Sequence, residues 1–372
     1  MLIDLPVDMV VEATGLADPA AIHAEAALAS GKHVAMVTKE ADSIVGPLFS
    51  VRARAAGLVY TPVDGDQPSL LMQLVAWARL IGLDVICAGK SSEYDFIYDA
   101  ERQTITNRGR EVKVDGFDAV WDRGSAPVQH LTEARVAALS MFQQRTVPDM
   151  VELCLVANAC DLAPDCPFFH APFARTIEIA DIFALQEDDG LLRSAGAIDV
   201  VNLLRRSDEA SLAGGVFVIV RCEDAKSWEV LRAKGHIVSR SGKTAMIYRP
   251  SHLLGVESAT TMLRATLEGQ SSGPSDVRPR FDVVGITQKT LQAGTRLAAL
   301  GHHREIDGIA PMTVPARAHR SGNPTPYYLL SGCELNVTAK SGTIITKEML
   351  TFQAGSKLLA LRNEMDAHFA LS

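Results

Sequence analysis

The chain has 372 residues, 47% of them hydrophobic, and carries a formal net charge of −8. This length and apolar content can bury the cores of two or three domains, whereas the acidic balance and scattered basic residues argue against nucleic acid as a partner. Gln73, Arg79 and Asp84 interrupt the most apolar long stretch, residues 70–87, and no basic region precedes an apolar one at the N-terminus. We therefore expect neither a membrane partner nor a secretion signal.

Residues 1–90 alternate apolar, strand-like runs with amphipathic runs of helical period, which predicts βαβ units around a parallel sheet. Val7–Ala13 is the first predicted strand, and Asp18 and Pro19 suit the N-cap and first position of a helix that Gly31 ends. The other predicted elements of this region are a strand at His33–Thr38, a helix at Ser43–Ala56, a strand at Leu58–Val63, a helix at Ser69–Ile81 and a strand at Asp84–Ala88. The pattern predicts an α/β fold with half of a doubly wound, Rossmann-like sheet.

A doubly wound cofactor domain normally begins with a strand, a glycine-rich turn and a helix, and this turn holds the cofactor pyrophosphate at the helix N-terminus. No G-x-G-x-x-G pattern occurs in the 372 residues. We therefore expect the first βαβ unit to precede Met1. Three interpretations stay open: a misassigned start, a fragment completed by another polypeptide, and a paralogue that binds a ligand without redox chemistry.

The rest of the chain predicts a second and a third domain. The middle region mixes an irregular segment at Lys90–Asp118 with a helix at Thr132–Gln144 and a strand at Val216–Arg221, which indicates an α+β substrate domain. A polar stretch rich in proline and glycine follows, and short strands and turns come after it. The predicted division is a cofactor half-domain at 1–90, a catalytic or substrate domain at 91–270, a linker at 271–279 and a small β-rich domain at 280–372.

The segment Val7–Asp42 (VDMVVEATGLADPAAIHAEAALASGKHVAMVTKEAD) resembles the second half of the cofactor domain in homoserine dehydrogenase and its relatives. In that family a strand ending in ATG lies beside the nicotinamide ring of NAD or NADP, and a following strand ends in a lysine. The resemblance implies that Ala13, Thr14 and Gly15 contact the cofactor, and that Lys39 serves both cofactor binding and catalysis. An ordinary βαβ unit with a glycine turn is the alternative.

The resemblance continues over nearly the whole chain towards a branch of that family with a C-terminal SAF (β-clip) domain. It is carried by the strings VDGDQPSLL (63–71), CAGKSSEYDFIYD (87–99), VPDMVELCLVANA (147–159), LAGGVFVIVRCED (212–224) and KGHIVSRSGKTAMIYRPSHLLGVE (234–257). The strings ITQKTLQAGTRL (286–297) and SGTIITKEML (341–350) are similar to the SAF domain itself. The branch includes a reductoisomerase-like enzyme of isoprenoid synthesis that acts on 1-deoxy-xylulose 5-phosphate, and the resemblance implies an architectural or lid role for the SAF domain.

Polar side chains cluster in AGKSSEYDF, directly after a predicted strand. Lys90, Glu93 and Asp95 lie within six residues there. A lysine can neutralise an alkoxide or phosphate while a carboxylate transfers a proton, so we expect these residues to be catalytic. We also expect Lys39 and Lys90 to follow neighbouring strands of one parallel sheet and to face one cleft.

Two aspartates follow another predicted strand, in VDGDQP. Asp64 and Asp66 are one residue apart and can bind a hard divalent cation such as Mg²⁺ or Mn²⁺ when both turn to one side. The alternative is an Asx turn with Gly65 at its corner.

Six cysteines lie far apart in the chain, as is typical of reduced thiols, and they predict a cytoplasmic protein. Cys154, Cys160, Cys166 and His170 invite a zinc interpretation, but their spacings match none of the paired-ligand patterns. Because Cys154 and Cys160 lie among Val, Leu and Ala, we expect them to pack in the core.

The sequence thus predicts an NAD(P)-dependent oxidoreductase that acts on a small carbonyl, sugar-phosphate or polyol-type substrate in a reductoisomerase-like reaction. Homoserine dehydrogenase is one alternative, and a non-catalytic ligand-binding or assembly protein built around the SAF domain is another. We expect a small-molecule substrate and a homo-oligomer.

Overall fold

The computed structural model describes residues 4–372. Its α-helices are α1 (Ala17–Ala29), α2 (Lys39–Ala55), α3 (Gln67–Leu80), α4 (Asp118–Trp121), α5 (Val128–Ala138), α6 (Val147–Cys160), α7 (Ile179–Ile182), α8 (Ala225–Ala233), α9 (Ser258–Leu263) and α10 (Lys357–His368). Within these residues, none of the helices combines the length and apolar character needed to cross a membrane.

The strands are β1 (Met9–Glu12), β2 (His33–Met36), β3 (Tyr60–Pro62), β4 (Asp84–Ser91), β5 (Phe96–Asp99), β6 (Thr104–Asn107), β7 (Arg110–Lys113), β8 (Ala163–Pro164), β9 (Phe173–Ala174), β10 (Ala197–Arg205), β11 (Val216–Arg221), β12 (Ile237–Val238), β13 (Ala245–Arg249), β14 (Phe281–Thr287), β15 (Ala299–Leu300), β16 (Glu305–Ile306), β17 (Ile309–Pro315), β18 (Glu334–Leu335) and β19 (Leu350–Thr351).

The chain forms two compact units, each built from separate stretches of sequence. The first unit holds residues up to 72 together with 146–161 and 253–372, and the second unit holds 73–145 and 162–252.

In the first unit, β1, β2 and β3 form a parallel sheet in that order, with α1 and α2 as the connections. The α/β fold and the parallel sheet predicted for this region are therefore confirmed. The helix predicted from Ser43 begins four residues earlier, at Lys39, because Glu40 and Asp42 place negative charge in its first turn, where the helix dipole favours it. Lys39 is thus the first residue of a helix.

In the second unit, a mixed sheet has the strand order β12-β13-β11-β4-β10-β5-β6-β7. Its centre is parallel between β4 and β10 and antiparallel between β4 and β11. This arrangement corrects the expectation that Lys39 and Lys90 follow strands of one sheet, because β4 does not pair with β1, β2 or β3. The apolar run of β4 continues the earlier βαβ pattern, and nothing in its composition distinguishes a strand of a second sheet.

The segment Lys90–Asp118 is also more regular than expected. It contains the antiparallel pairs β5 with β6 and β6 with β7. Tyr98 and Ile105 are buried there, and they pack with Phe117 in one cluster. Charged and polar residues on the outer face of this meander conceal its strands in the sequence. The helix predicted at Thr132–Gln144 is α5 in the structure, and it begins directly after Pro127 and ends at Ala138.

The C-terminal part of the first unit is tied together by a buried arginine. Arg362 of α10 donates two hydrogen bonds to the Asp282 carboxylate of β14 at 2.8 and 2.7 Å and one to Asp366 at 2.7 Å, and all three side chains are at most 8% exposed. Burial opposes the charge on Arg362, but the two carboxylates outweigh it and raise the pKa of the guanidinium. Removing the arginine would leave two buried carboxylates without their counter-charge.

We expect Arg362→Met to lower the free energy of unfolding by about 3–5 kcal/mol, because an uncompensated buried charge is more costly than the lost ion pair. Urea unfolding measures the loss. Arg296→Met is the matched control, since Arg296 is 87% exposed beside Glu334, and it should change stability by less than about 0.5 kcal/mol. Equal stabilities of the two variants would contradict the buried triad.

A small cavity of about 20 Å³ lies inside the first unit, between α2, β3 and α6. Asp42 lies on its wall and accepts a hydrogen bond from the Tyr60 hydroxyl at 2.7 Å. A Cβ at position 46 would lie 2.0 Å from Asp42 Oδ1, so a larger residue than Gly46 would displace that carboxylate. Burial raises the pKa of Asp42 to about 6, although the hydrogen bond from Tyr60 opposes the rise.

This raised pKa predicts a pH-dependent loss of stability. The folded-state pKa exceeds the unfolded-state value of about 3.9, so the native state binds more protons between the two values, and stability falls as the pH rises from about 4 to about 6. Asp42→Asn should therefore be more stable than the wild type by about 2 kcal/mol at pH 7 and equally stable near pH 4. Urea unfolding of the wild type and of Asp42→Asn across this range tests it.

Candidate functional site

The residues expected beside the cofactor lie at the carboxyl end of β1. Ala13 and Thr14 are exposed, and Gly15 follows with φ of +67°, a left-handed conformation that favours glycine. The Gly15 N–H donates to Thr38 Oγ1 at 3.0 Å, which fixes this turn against the end of β2. The structure thus brings together the ends of two adjacent parallel strands, where ligands of open α/β sheets bind.

A buried carboxylate lies directly beneath this turn. Glu12 is 2% exposed and accepts a short hydrogen bond from the Thr38 hydroxyl, together with weaker ones from the Thr14 N–H at 3.3 and 3.4 Å. His23 of α1 also contacts it, with Nδ1 3.2 Å from Oε1. Sequence analysis missed Glu12 because it sits inside an apolar strand, and an acidic residue among VVEATG was the only signal available.

Lys39 lies between two carboxylates. Its Nζ is 3.2 Å from Asp66 Oδ1 and forms a second, shorter contact with Glu152 Oε1. Burial disfavours the ammonium charge, but Glu152 and Asp66 outweigh it and raise the pKa of Lys39. The lysine therefore stays protonated at neutral pH.

Glu40 lies next to this cluster. Burial raises its pKa, while its own backbone N–H, Lys39 and Arg304 act against the rise. Glu152 comes from α6, a mostly apolar helix, and sequence analysis did not select it. A single glutamate in the run MVELCLVA was the available signal.

Asp64 and Asp66, the predicted metal ligands, have different protein partners. Asp64 Oδ2 accepts from the Thr260 hydroxyl at 2.6 Å, whereas Asp66 Oδ1 accepts from the Gln67 N–H at 3.0 Å and from Lys39. Within residues 4–372, no third His, Cys, Asp or Glu joins these two in a group whose ligand atoms all lie within 4.8 Å. The metal site stays a prediction.

The cluster predicted around Lys90 belongs to the second unit. Lys90 lies inside β4 rather than beyond its end and is 3% exposed, while Glu93 is exposed in the following turn. Asp95 Oδ2 accepts from Arg205 Nε at 2.5 Å. The guanidinium of Arg205 is therefore the ion-pair partner of that carboxylate.

A second group of polar residues in that unit surrounds the loop Asp165–Ala171. His170 Nε2 lies 2.9 Å from Asp165 Oδ2, and the buried Asp199 carboxylate accepts the N–H groups of His170 and Ala171 at 2.9 Å each. Phe169 and Ala171 have φ of +54° and +47°, so this network holds a strained backbone.

The burial of Cys154 and Cys160 confirms their predicted core packing.

Comparison with known proteins gives a family for the chain. Residues 65–258 match the family model for the catalytic domain of the oxidoreductase DRL, and no curated protein matches. Among solved structures, a Bacteroides fragilis NCTC 9343 protein provisionally assigned as an oxidoreductase is 15% identical, with 74% of each chain covered and a TM-score of 0.24. An oxidoreductase from Bacillus cereus is 13% identical, with 72% of this chain and 74% of its own covered and a TM-score of 0.25.

The matched range contains the whole second unit and, in the first unit, Asp66 and the helix that carries Glu152. It spans more than half of the chain. The chain therefore belongs to the oxidoreductase DRL family, and it is an oxidoreductase enzyme.

Proposed function

We propose that this oxidoreductase uses NADH or NADPH to reduce a small carbonyl compound of the sugar-phosphate or polyol class, at the carboxyl ends of β1 and β2. The placement of Lys39 carries the proposal. This ammonium group follows β2, two carboxylates hold it in place, and it belongs to the same sheet edge as Gly15 after β1. Membership in an oxidoreductase family supports a nicotinamide cofactor.

The turn after β1 fits the flat nicotinamide end of such a cofactor. Gly15 carries no side chain, and the three heavy atoms nearest to a Cβ there would all belong to the end of the Arg304 side chain, at 3.2–3.9 Å. Ala13 and Thr14 are exposed on the approach to it. A planar ring can therefore come close to the strand end, with these three residues as its contacts.

The nicotinamide group, when bound, supplies a hydride to the carbonyl carbon. The electron pair of the C=O bond then moves to the oxygen, which needs a positive partner and a proton. Lys39 meets the first need, since its raised pKa keeps it charged and its N–H groups can donate to the developing alkoxide. Asp66 and Glu152 orient the ammonium, and solvent returns any proton that it gives up.

Lys90 is the second candidate for this role, with Glu93 as the nearby carboxylate that could transfer a proton. Asp95, the other carboxylate of this cluster, is paired with Arg205, and we therefore favour Lys39 over Lys90.

A divalent ion at Asp64 and Asp66 would have to displace Lys39 from Asp66, so the proposal does not depend on a metal. The SAF assignment of residues 280–372 and the other domain boundaries remain part of the proposal.

We expect Gly15→Ala to weaken NADPH or NADH binding at least tenfold, a change of about 1.4 kcal/mol, because the added methyl group would stand where the ring approaches. Fluorescence titration of the cofactor measures the affinity. Gly31→Ala is the matched control, since Gly31 has φ of +73° and open space around its Cβ position. It adds the same left-handed strain without touching the site, and equal cofactor affinities of the two variants would refute the placement.

We expect Lys39→Met to lower turnover by about 10²–10³, the usual loss when one oxyanion stabiliser is removed, and to leave cofactor affinity within a few fold. The assay follows NAD(P)H consumption with 1-deoxy-xylulose 5-phosphate plus Mg²⁺ or Mn²⁺ and, separately, with aspartate semialdehyde. The exposed Lys340→Met is the control. Urea unfolding is measured for the single variant Lys39→Met and for the double variant Lys39→Met/Glu152→Gln. It separates a loss of catalysis from a loss of fold.

The parallel variant Lys90→Met identifies which lysine acts. Full turnover in Lys39→Met together with a large loss in Lys90→Met would move the active site to the KSSEYD segment. Acceptance of aspartate semialdehyde alone would assign homoserine dehydrogenase chemistry instead of a sugar-phosphate substrate.

A further inference from the structure

The turn between β15 and β16 delivers one guanidinium group to the end of β1. Arg304 Nη2 lies 3.2 Å, and its Cζ 3.9 Å, from the position that a Cβ would take on Gly15. The turn and the strand end belong to the same unit, although nearly 290 residues separate them in sequence. A residue of the C-terminal β-rich region therefore reaches the strand end where we place the nicotinamide ring.

Arg304 differs from the other half-buried or buried arginines of the first unit in its partners. Arg52 contacts Glu25 and Glu364, and Arg362 contacts Asp282 and Asp366. In the part of the chain from residue 4 onwards, no carboxylate oxygen lies within 4.0 Å of the Arg304 guanidinium, which donates no hydrogen bond there either. Five N–H donors thus lack a protein acceptor.

The nearby acidic groups do not fill this role. Asp66 and Glu152 are already bound to Lys39. Glu40 interacts electrostatically with Arg304 but lies beyond ion-pair distance, and burial raises the pKa of the Glu40 carboxyl. The guanidinium is therefore the cation of this site that is left to receive an external anion.

The backbone at Arg304 has an unfavourable conformation. Its φ is +49°, and a non-glycine residue in this region costs roughly 1–2 kcal/mol. Glycine would remove that cost, yet the turn has the sequence GHHR with the arginine at the strained position. Strain retained at a residue that points towards a candidate site is consistent with a binding role.

We infer that Arg304 binds the anionic group, a phosphate or a carboxylate, of the ligand that lies on Gly15. The planar guanidinium can donate two parallel hydrogen bonds to such a group. The inference rests on the proposed function, which places the reactants at Gly15, and it extends that function by naming an oxyanion as the recognised chemical group. The anion belongs either to a phosphorylated or carboxylated substrate or to the cofactor.

Calorimetric titration of the full chain with inorganic phosphate tests this inference without any assay of activity. Arg304→Met should weaken phosphate binding at least tenfold, and Arg304→Lys should be intermediate because it keeps the charge but loses the paired donors. Arg320→Met, an exposed arginine of the same unit, should bind phosphate like the wild type. Absence of phosphate binding to the wild type, or equal binding by Arg304→Met, would overturn the inference.

The variant Arg304→Gly distinguishes a loss of phosphate binding from a failure to fold. Glycine accepts the left-handed conformation, so this variant should retain the wild-type stability in urea and still lose phosphate binding. Retained phosphate affinity in a stable Arg304→Gly variant would also overturn the inference.

Repeating the titration with saturating NADPH identifies the source of the anion. Phosphate binding that persists beside NADPH assigns Arg304 to the substrate, and competition between the two assigns it to the cofactor; both outcomes support the oxyanion site. If the chain binds no NADPH or NADH but still binds phosphate through Arg304, the proposed function fails while the anion site stands.

Discussion

The contact of Lys39 with Asp66 and Glu152 is the interaction on which the first unit depends most. The three residues come from the start of α2, the turn before α3, and α6, which enters this unit as residues 146–161 between two stretches of the other. An ion pair between such distant segments needs precise geometry, because a buried charge that loses its partner lowers the stability of the fold. The same precision that holds α6 in place fixes an ammonium group at the sheet edge, so stability and chemistry rely on one set of contacts.

The sequence predicted local structure well where hydrophobic periodicity was strong. The strands at β1, β2 and β3 and the connecting helices were expected within a few residues. The expected N-cap was wrong, because α1 begins at Ala17 after Leu16 and Asp18 lies within the helix. Membership of the strands in sheets was harder to predict. The run DVICAGKS looks the same in a continuation of one sheet as in the centre of another, because periodicity reports burial and carries no information on pairing partners.

The site was only partly predictable for the same reason. Gly15, Lys39 and Asp66 were selected because strand ends and family resemblance pointed to them. Glu152 is 113 residues from Lys39 in the chain, and only the fold shows that the two meet. Likewise, the sequence marked Asp95 as a reactive carboxylate, whereas its pairing with Arg205 becomes visible only in three dimensions.

The division of the chain into interleaved stretches bears on how the protein is made. The first unit needs residues from both ends of the sequence, since its sheet is N-terminal and its closing segment begins at residue 253. On the ribosome the three parallel strands would therefore emerge long before β14 and α10, which complete their surroundings, and contacts of such high sequence separation form slowly. The nascent sheet would remain without these partners during synthesis, and apolar surface left uncovered at that stage favours aggregation.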